Sequence, residues 1–341
     1  SPITDTRSIT ATNCPLRTKP PCWAAANRPL QPLSVPRNSP MDTLQALDKR
    51  ITTTSKLQGI VKSMKTLSAV NIRQYERALA SLDTFVEVIE QGLQTVLKET
   101  PLPRHAAATE QSPRGLIVFG SDQGLCGRFN ERLADFVRQQ LAGMGVTDLS
   151  SLKLLVIGAR IAARLEAGGF VIDKQCCVPG SVNGINATVY QMLLSVEGWL
   201  QEHKISKVDI FLNRYEKATG ARPDQQILLP IDNEHLHLLR KKKWPGRSLP
   251  DFRVPADQLF SGLIRQHLFA SLFRSQAESL ASEQASRLRS LQNAEKNIEE
   301  HIEELRGAYR IKRQATITSE LLDLVAGFKA TVHSQTKKED Q

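Results

Sequence analysis

"LRSLQNAEKNIEEHIEELRGAYRIKRQATITSELLDLVAGF" runs from Leu288 to Phe328 and decides the architecture. Leu288, Leu291, Ile298, Ile302, Leu305 and Tyr309 recur at helical spacing, with Glu, Lys and Arg filling the other faces. That is the seam of a long amphipathic helix. No proline follows Pro255, so the pattern predicts one helix from there to about Val332, on the order of 110 Å long.

A second seam lies near the other end of the chain. Tyr75, Leu79, Leu82, Val86, Ile89, Leu93 and Val96 alternate steps of four and three within a proline-free stretch from Met41 to Thr100. Only Gly59 and Gly92 interrupt it, and Pro101 and Pro103 stop it. This helix spans roughly 90 Å, far more than a globular domain needs. Two such helices at opposite ends of one chain pair most simply with each other, as an antiparallel coiled coil. The C-terminal one is longer, so its last turns are expected to outrun the partner and stand alone.

Those last turns are apolar. Ile317, Leu321, Leu322, Leu324, Val325, Phe328 and Val332 span an arc of roughly 160°, broader than a coiled-coil seam. Left in water, each large side chain forgoes roughly 1.5–3 kcal/mol of burial. A fold-back onto the chain's own domain would cover the tip, but antiparallel pairing opposes it. A partner with an apolar socket is the better expectation.

Between the helices the chain changes character. "GLIVF" (115–119), "LKLLVIG" (152–158), "GGFVIDKQCCV" (168–178), "VDIFLNRY" (208–215) and "QQILLPI" (225–231) read as strands. Helical stretches near 129–142, 158–167 and 186–201 separate several of them, which indicates a Rossmann-like α/β domain with a mostly parallel sheet. "LRKKKWPGRSLPDFRVP" (239–255) reads as a basic, proline-broken loop into the final helix. The expected division is an N-terminal extension over 1–40, the first coiled-coil helix over 41–100, the α/β domain over 101–250, the second helix over 251–335 and a disordered tail over 336–341.

The 341 residues carry a net charge of +10, of which residues 1–40 supply five basic side chains against one acid. That balance is compatible with an acidic partner or an anionic lipid surface, and equally with an ordinary basic surface. Residues 1–40 hold eight of the 17 prolines and no apolar period, too little to bury a core. They read as a disordered arm, a targeting peptide, or an upstream extension ahead of Met41; the last is favoured, because ordered sequence begins there. No run of about 18 apolar residues is present. Cys14, Cys22, Cys126, Cys176 and Cys177 include no CxxC pair, which points to a reducing compartment and to no metal site.

The motifs offer little chemistry. Gly120, Gly124 and Gly127 sit in a strand-to-helix loop, "GLIVFGSDQGLCGRFNERL" (115–133), where a phosphate could be cradled. The loop lacks the lysine of GxxxxGK[ST] and the spacing of GxGxxG, so a tight turn with Cys126 packed inside is the stronger reading. His235 and His237 read as lying in a charged loop, and His301 on a helix face. "RKKK" (240–243) with Trp244 could contact nucleic acid, though solvated charge explains it as well. No catalytic residue and no cofactor-binding residue can be named.

Several stretches resemble one family. "SEQASRL" (282–288), "AEKN" (294–297) and "RQATITSEL" (313–321) are similar to the C-terminal helix of the γ subunit of F-type ATP synthases. "LDKRITTTSKLQGIVKSMKTLSAVNIRQYERA" (47–78) resembles that family's N-terminal helix, "GSDQGLCGRFN" (120–130) a loop of its α/β domain, and "LNRYEKATGARPDQQILLPI" (212–231) fits as well. The resemblance covers residues 42–334 in order.

It implies a rotor subunit without catalysis or cofactor. Its coiled coil would thread a ring of α and β subunits, and its α/β domain would rest on the membrane c ring beside the ε subunit. Nucleic acid would not be a partner, and the membrane would be reached only through the complex, at the cytoplasmic face of a bacterial inner membrane. By the same resemblance Arg313, Gln314, Thr318 and Glu320 match polar positions bonded to the ring, and Lys62 and Met64 match positions near moving β segments. Leu321, Leu324, Val325 and Phe328 would sit in its apolar bearing. Lys65 and Thr66 stand where many relatives carry "EMV", which leaves the grip on β open. "TLSAVNIRQYE" (66–76) resembles an alternate bacterial subclass linked to sodium transport. The coupling ion itself belongs to the c ring. A nucleotide-binding protein using the Gly120–Gly127 loop, or a coiled-coil nucleic-acid binder, are the competing readings.

Overall fold

The computed structural model describes residues 43–99, 113–146, 149–203, 205–216, 220–244, 246 and 250–339. Side chains of 99, 150, 220 and 330–339 lie outside that description, as do the N-terminal extension expected over 1–40, the stop at Pro101 and Pro103, and the side chain of Val332.

The first helix, α1 (Leu44–Glu99), has 56 residues. Thr43 caps it, its hydroxyl accepting the Ala46 N–H at 3.3 Å. The last helix, α6 (Ala256–Glu339), has 84 residues and begins directly after Pro255, with Asp257 in its first turn to complement the helix dipole. At 1.5 Å per residue they are about 84 Å and 126 Å long. They lie antiparallel, as three cross-links fix: Arg274 to Asp83 at 2.5 Å, Lys65 to Glu295 at 2.5 Å, and Gln58 to Glu299 at 3.0 Å. Tyr75, Leu82, Ile89, Leu93, Val96, Leu291, Ile302 and Leu305 are buried, so both seams read from the sequence face inward.

The intervening chain builds β1 (Arg114–Phe119), α2 (Phe129–Gly143), β2 (Lys153–Ile157), α3 (Ala159–Ala167), β3 (Lys174–Cys176), α4 (Val182–Glu202), β4 (Lys207–Glu216), β5 (Gly220–Leu229) and α5 (Asn233–Lys241). The sheet order is β3-β2-β1-β4-β5, parallel except for the antiparallel β4–β5 pair. Three expectations need correction. The disordered tail expected from 336 is helical as far as Glu339, since no proline or glycine between Gly327 and Glu339 stops α6. The stretch read as a strand over 168–178 pairs only at 174–176, because Gly168 and Gly169 close α3 first and Gly169 takes φ 86°. His235 and His237 are not in a loop: they lie on α5, which Asp232 caps by accepting the Glu234 N–H at 2.8 Å. Its apolar face, Leu236 and Leu239, packs on Leu93 and Leu97 of α1.

Alternation along each strand sends side chains to two layers. Leu116 and Val118 of β1, with Leu154 and Val156 of β2, pack under α2 and α3 through Leu133, Val137, Ile161 and Leu165. Ile117 and Phe119, with Ile157, Ile210 and Leu212, face the other way. That second face is covered by α4 and by α6, through Leu268, Leu272, Ala277, Leu280 and Ala281. The shaft helix is thus one layer of the α/β domain. Small residues make the approach possible: Ser275, Ser279 and Ser282 of α6 are fully or nearly fully buried, and Ser279 donates to the Phe119 carbonyl at 3.4 Å.

Candidate functional site

Two regions could act on other molecules: the joint where the Gly120–Gly127 loop meets the shaft, and the free end of α6.

The joint sits at the carboxyl ends of β1 and β2. The chain passes from β1 to β2 and β3 on one side and then crosses to β4 on the other, so β1 and β4 flank the topological switch point. In doubly wound folds that crevice receives a nucleotide. Beside it, on the β2 side, Asp122 occupies the N-terminus of α3: its Oδ1 accepts the Ala159 N–H at 2.7 Å, and Oδ2 accepts the Val178 N–H at 2.8 Å. The Ser121 N–H is bonded to Asn130 Oδ1 at 3.1 Å, and the Asn130 amide returns a bond to Ser121 Oγ at 2.8 Å. Gly120 is required by close approach, since a Cβ there would lie 2.2 Å from Ile161 Cγ2 and 2.9 Å from Asn130 Oδ1. Leu125 takes φ 63° and Gly127 φ 60°, which bends the loop outward before α2. Cys126 is buried, as the tight-turn reading expects, and burial pushes its thiol up.

The shaft grips this loop with a buried ion pair. Arg287 donates through Nε to the Gly124 carbonyl at 3.3 Å and through Nη2 to Glu283 Oε1 at 2.5 Å. The side chains are 6 % and 5 % exposed. Burial raises the Glu283 carboxyl, and Arg287 works against that rise. Tyr75 of α1 lies beside the pair with its phenol raised, first by burial and then by Glu283. A cavity of about 230 Å³ opens between Met64 and Ser68 of α1, Asp122, Pro179 and the Glu283–Arg287 pair.

The free end is different in kind. Leu47 is the first buried residue of α1, and Leu305 is the last buried residue of α6 among the described side chains. Beyond it α6 outruns its partner. Ile317, Leu321, Leu322 and Val325 are exposed, and Leu324 and Phe328 are 71 % and 70 % exposed. Arg313, Gln314, Thr318 and Glu320 are exposed on the same free segment, with the Thr318 hydroxyl returned to the Gln314 carbonyl at 2.9 Å. Lys62 is exposed on α1, far from these residues along the shaft, while Met64 turns toward the joint. Sequence reasoning missed Asp122, Glu283 and Arg287 as the joint. Glu283 and Arg287 form an i,i+4 pair that looks like any solvated helix face, and only the neighbouring small residues hinted at burial.

A family model described as ATP synthase matches residues 43–331. The chain belongs to the ATP synthase gamma family. A gamma chain from Pasteurella multocida is 29 % identical over 286 residues, covering 82 % of this chain and 96 % of that one. Another, from Polynucleobacter necessarius, is 24 % identical over 291 residues, covering 84 % and 99 %. Among solved structures, a chain of the Euglena gracilis mitochondrial ATP synthase (OSCP/F1/c-ring, rotational state 3) aligns with TM-score 0.55 at 17 % identity, over 84 % of this chain and 94 % of that one. A chain of the rotor of the same enzyme in rotational state 1 aligns with TM-score 0.51 at 16 % identity, over 80 % and 98 %. These structures share the fold: paired terminal helices around a mostly parallel five-stranded sheet.

Proposed function

We propose that this gamma-family chain is the central shaft of an F-type ATP synthase, a non-catalytic subunit that carries rotation between a membrane ion-driven ring and the nucleotide sites of the surrounding subunits. The observation that carries the reading is the exposed apolar end of α6, a helix that is paired only as far as about Leu305.

Each part has a mechanical task. The apolar tip gives contact without direction, because burial of Leu321, Leu324, Val325 and Phe328 does not depend on angle. Arg313, Gln314, Thr318 and Glu320, over the two turns below, offer charge-assisted and neutral hydrogen bonds that do depend on angle. They would grip the α and β subunits at particular stops, with Lys62 and Met64 facing β lower down. The α/β domain and α5 would rest on the c ring beside ε. Torque applied there enters α6 through the shared core and through the Arg287 clamp on Gly124. No helix among the described residues is long and apolar enough to cross a membrane, so attachment would come through the ring, at the cytoplasmic face of a bacterial inner membrane.

The test is co-purification and coupling. Co-expressed with the other subunits of its enzyme, the full chain should be recovered with α and β. A chain ending at Glu320 should remain soluble yet be held less tightly in the ring. Equal assembly and equal coupling of hydrolysis to ion transport by both chains would overturn the bearing role.

A further inference from the structure

Three helices meet at the end of the shaft remote from the tip. α5 lies across α1 and the first turns of α6, its Leu236 and Leu239 seated among Ile89, Leu93, Leu97 and Ala270. At the edge of that contact His267 of α6 faces His235 of α5, with ring centroids 6.4 Å apart. His267 is half-buried, and its Nδ1 is fully buried with no hydrogen-bond partner.

The charges around it are unevenly matched. From α1, Glu90 approaches His235 Nε2 at 3.7 Å and the Lys242 ammonium at 3.8 Å, so one carboxylate serves two groups. From α6 itself, Arg265 is bonded to Glu197 of α4 at 2.6 Å. Lys242 follows α5 directly, and its carbonyl accepts the side-chain amide of Gln94, which ties the end of α5 to α1. A neutral imidazole can leave one nitrogen bare as an acceptor. A protonated one must donate from both, and here the second N–H would point at nothing. It would also add a cation beside His235 and Lys242.

We propose that this cluster is an acid-triggered release for α5, which stays docked on α1 and α6 while His267 is neutral and comes away when that ring takes a proton. Burial, and then His235, hold the His267 pKa below its ordinary 6.5, while Glu90 pulls the other way. The sign follows. Above 6.5 the ring is neutral whether α5 is docked or free, and docking is unaffected. Below 6.5 the freed ring protonates first, so docking weakens as the pH falls.

Amide hydrogen exchange of residues 233–241 in the full chain, corrected for intrinsic rates, tests this between pH 7.5 and 5.5. Protection of α5 should fall by up to about tenfold per pH unit below 6.5, while β1 and β4 keep theirs. His267→Phe should flatten the response. Equal protection of the wild type at both pH values, or an undiminished fall in His267→Phe, overturns the proposal. Should His267→Phe fail to fold, His235→Gln decides. Removing the neighbouring ring brings the docked His267 closer to its freed value, so the fall should still begin near 6.5 but be smaller than in the wild type; a fall as large as the wild type's, or none at all, overturns the assignment to His267. This device stands apart from the rotor reading, since the exchange experiment needs no other subunit.

Discussion

Arg287 shows what a single side chain holds. It ties Glu283 within one helix and Gly124 across to the loop, with both charged side chains almost wholly buried. Arg287→Leu therefore leaves a buried carboxylate alone and should cost about 3–5 kcal/mol, read from urea unfolding. Replacing both, as Glu283→Leu with Arg287→Leu, should recover most of that loss, since no orphan charge remains. Glu278 offers a pH test. It is mostly buried, its Oε2 finds no hydrogen bond, and Arg214 stands 3.6 Å away. Burial raises its pKa above the ordinary 4.5 against the pull of Arg214 and Arg274. A raised carboxyl costs stability once the pH climbs past 4.5, because the unfolded chain ionises first. Glu278→Gln should accordingly raise the melting temperature at pH 7, and the gain should vanish below about pH 4.

At the scale of elements, the seams do most of the specifying. Leu82 is 7 % exposed between α1 and its neighbours, so Leu82→Asp would bury an unpaired charge at a cost of at least about 2 kcal/mol. In the assembled enzyme it should also separate ATP hydrolysis from ion transport; unchanged coupling would argue against torque passing through the paired helices. This level was also the most legible in the sequence. Heptad spacing gave both long helices, and apolar runs such as "GLIVF" gave the buried strands, because period and burial are written residue by residue. α5 escaped notice because nine residues rich in His, Arg and Lys carry only two buried leucines. The joint escaped for a different reason. The loop of Asp122 and Gly124 is far in sequence from Glu283 and Arg287, and nothing local says that they meet.

At the scale of the molecule, the free end and the body differ in what holds them. From Ile317 to Phe328 the large apolar side chains of α6 are 47 % to 71 % exposed. Cutting after Glu320 should therefore leave the unfolding midpoint of the isolated protein within about 0.5 kcal/mol of its starting value. A large loss would mean that the tip folds back after all. The body has the opposite property. Ile117, Phe119, Ile210 and Leu212 take their cover from Leu272, Ala277, Leu280 and Ala281, which belong to the shaft. A fragment spanning residues 113–244 would lack half its roof and should precipitate or bind hydrophobic dyes, where a self-contained domain would stay clear. There is, in mechanical language, no clutch plate between hub and axle: a single interlocked interior spans both, so the hub cannot be turned without turning the rod or melting itself.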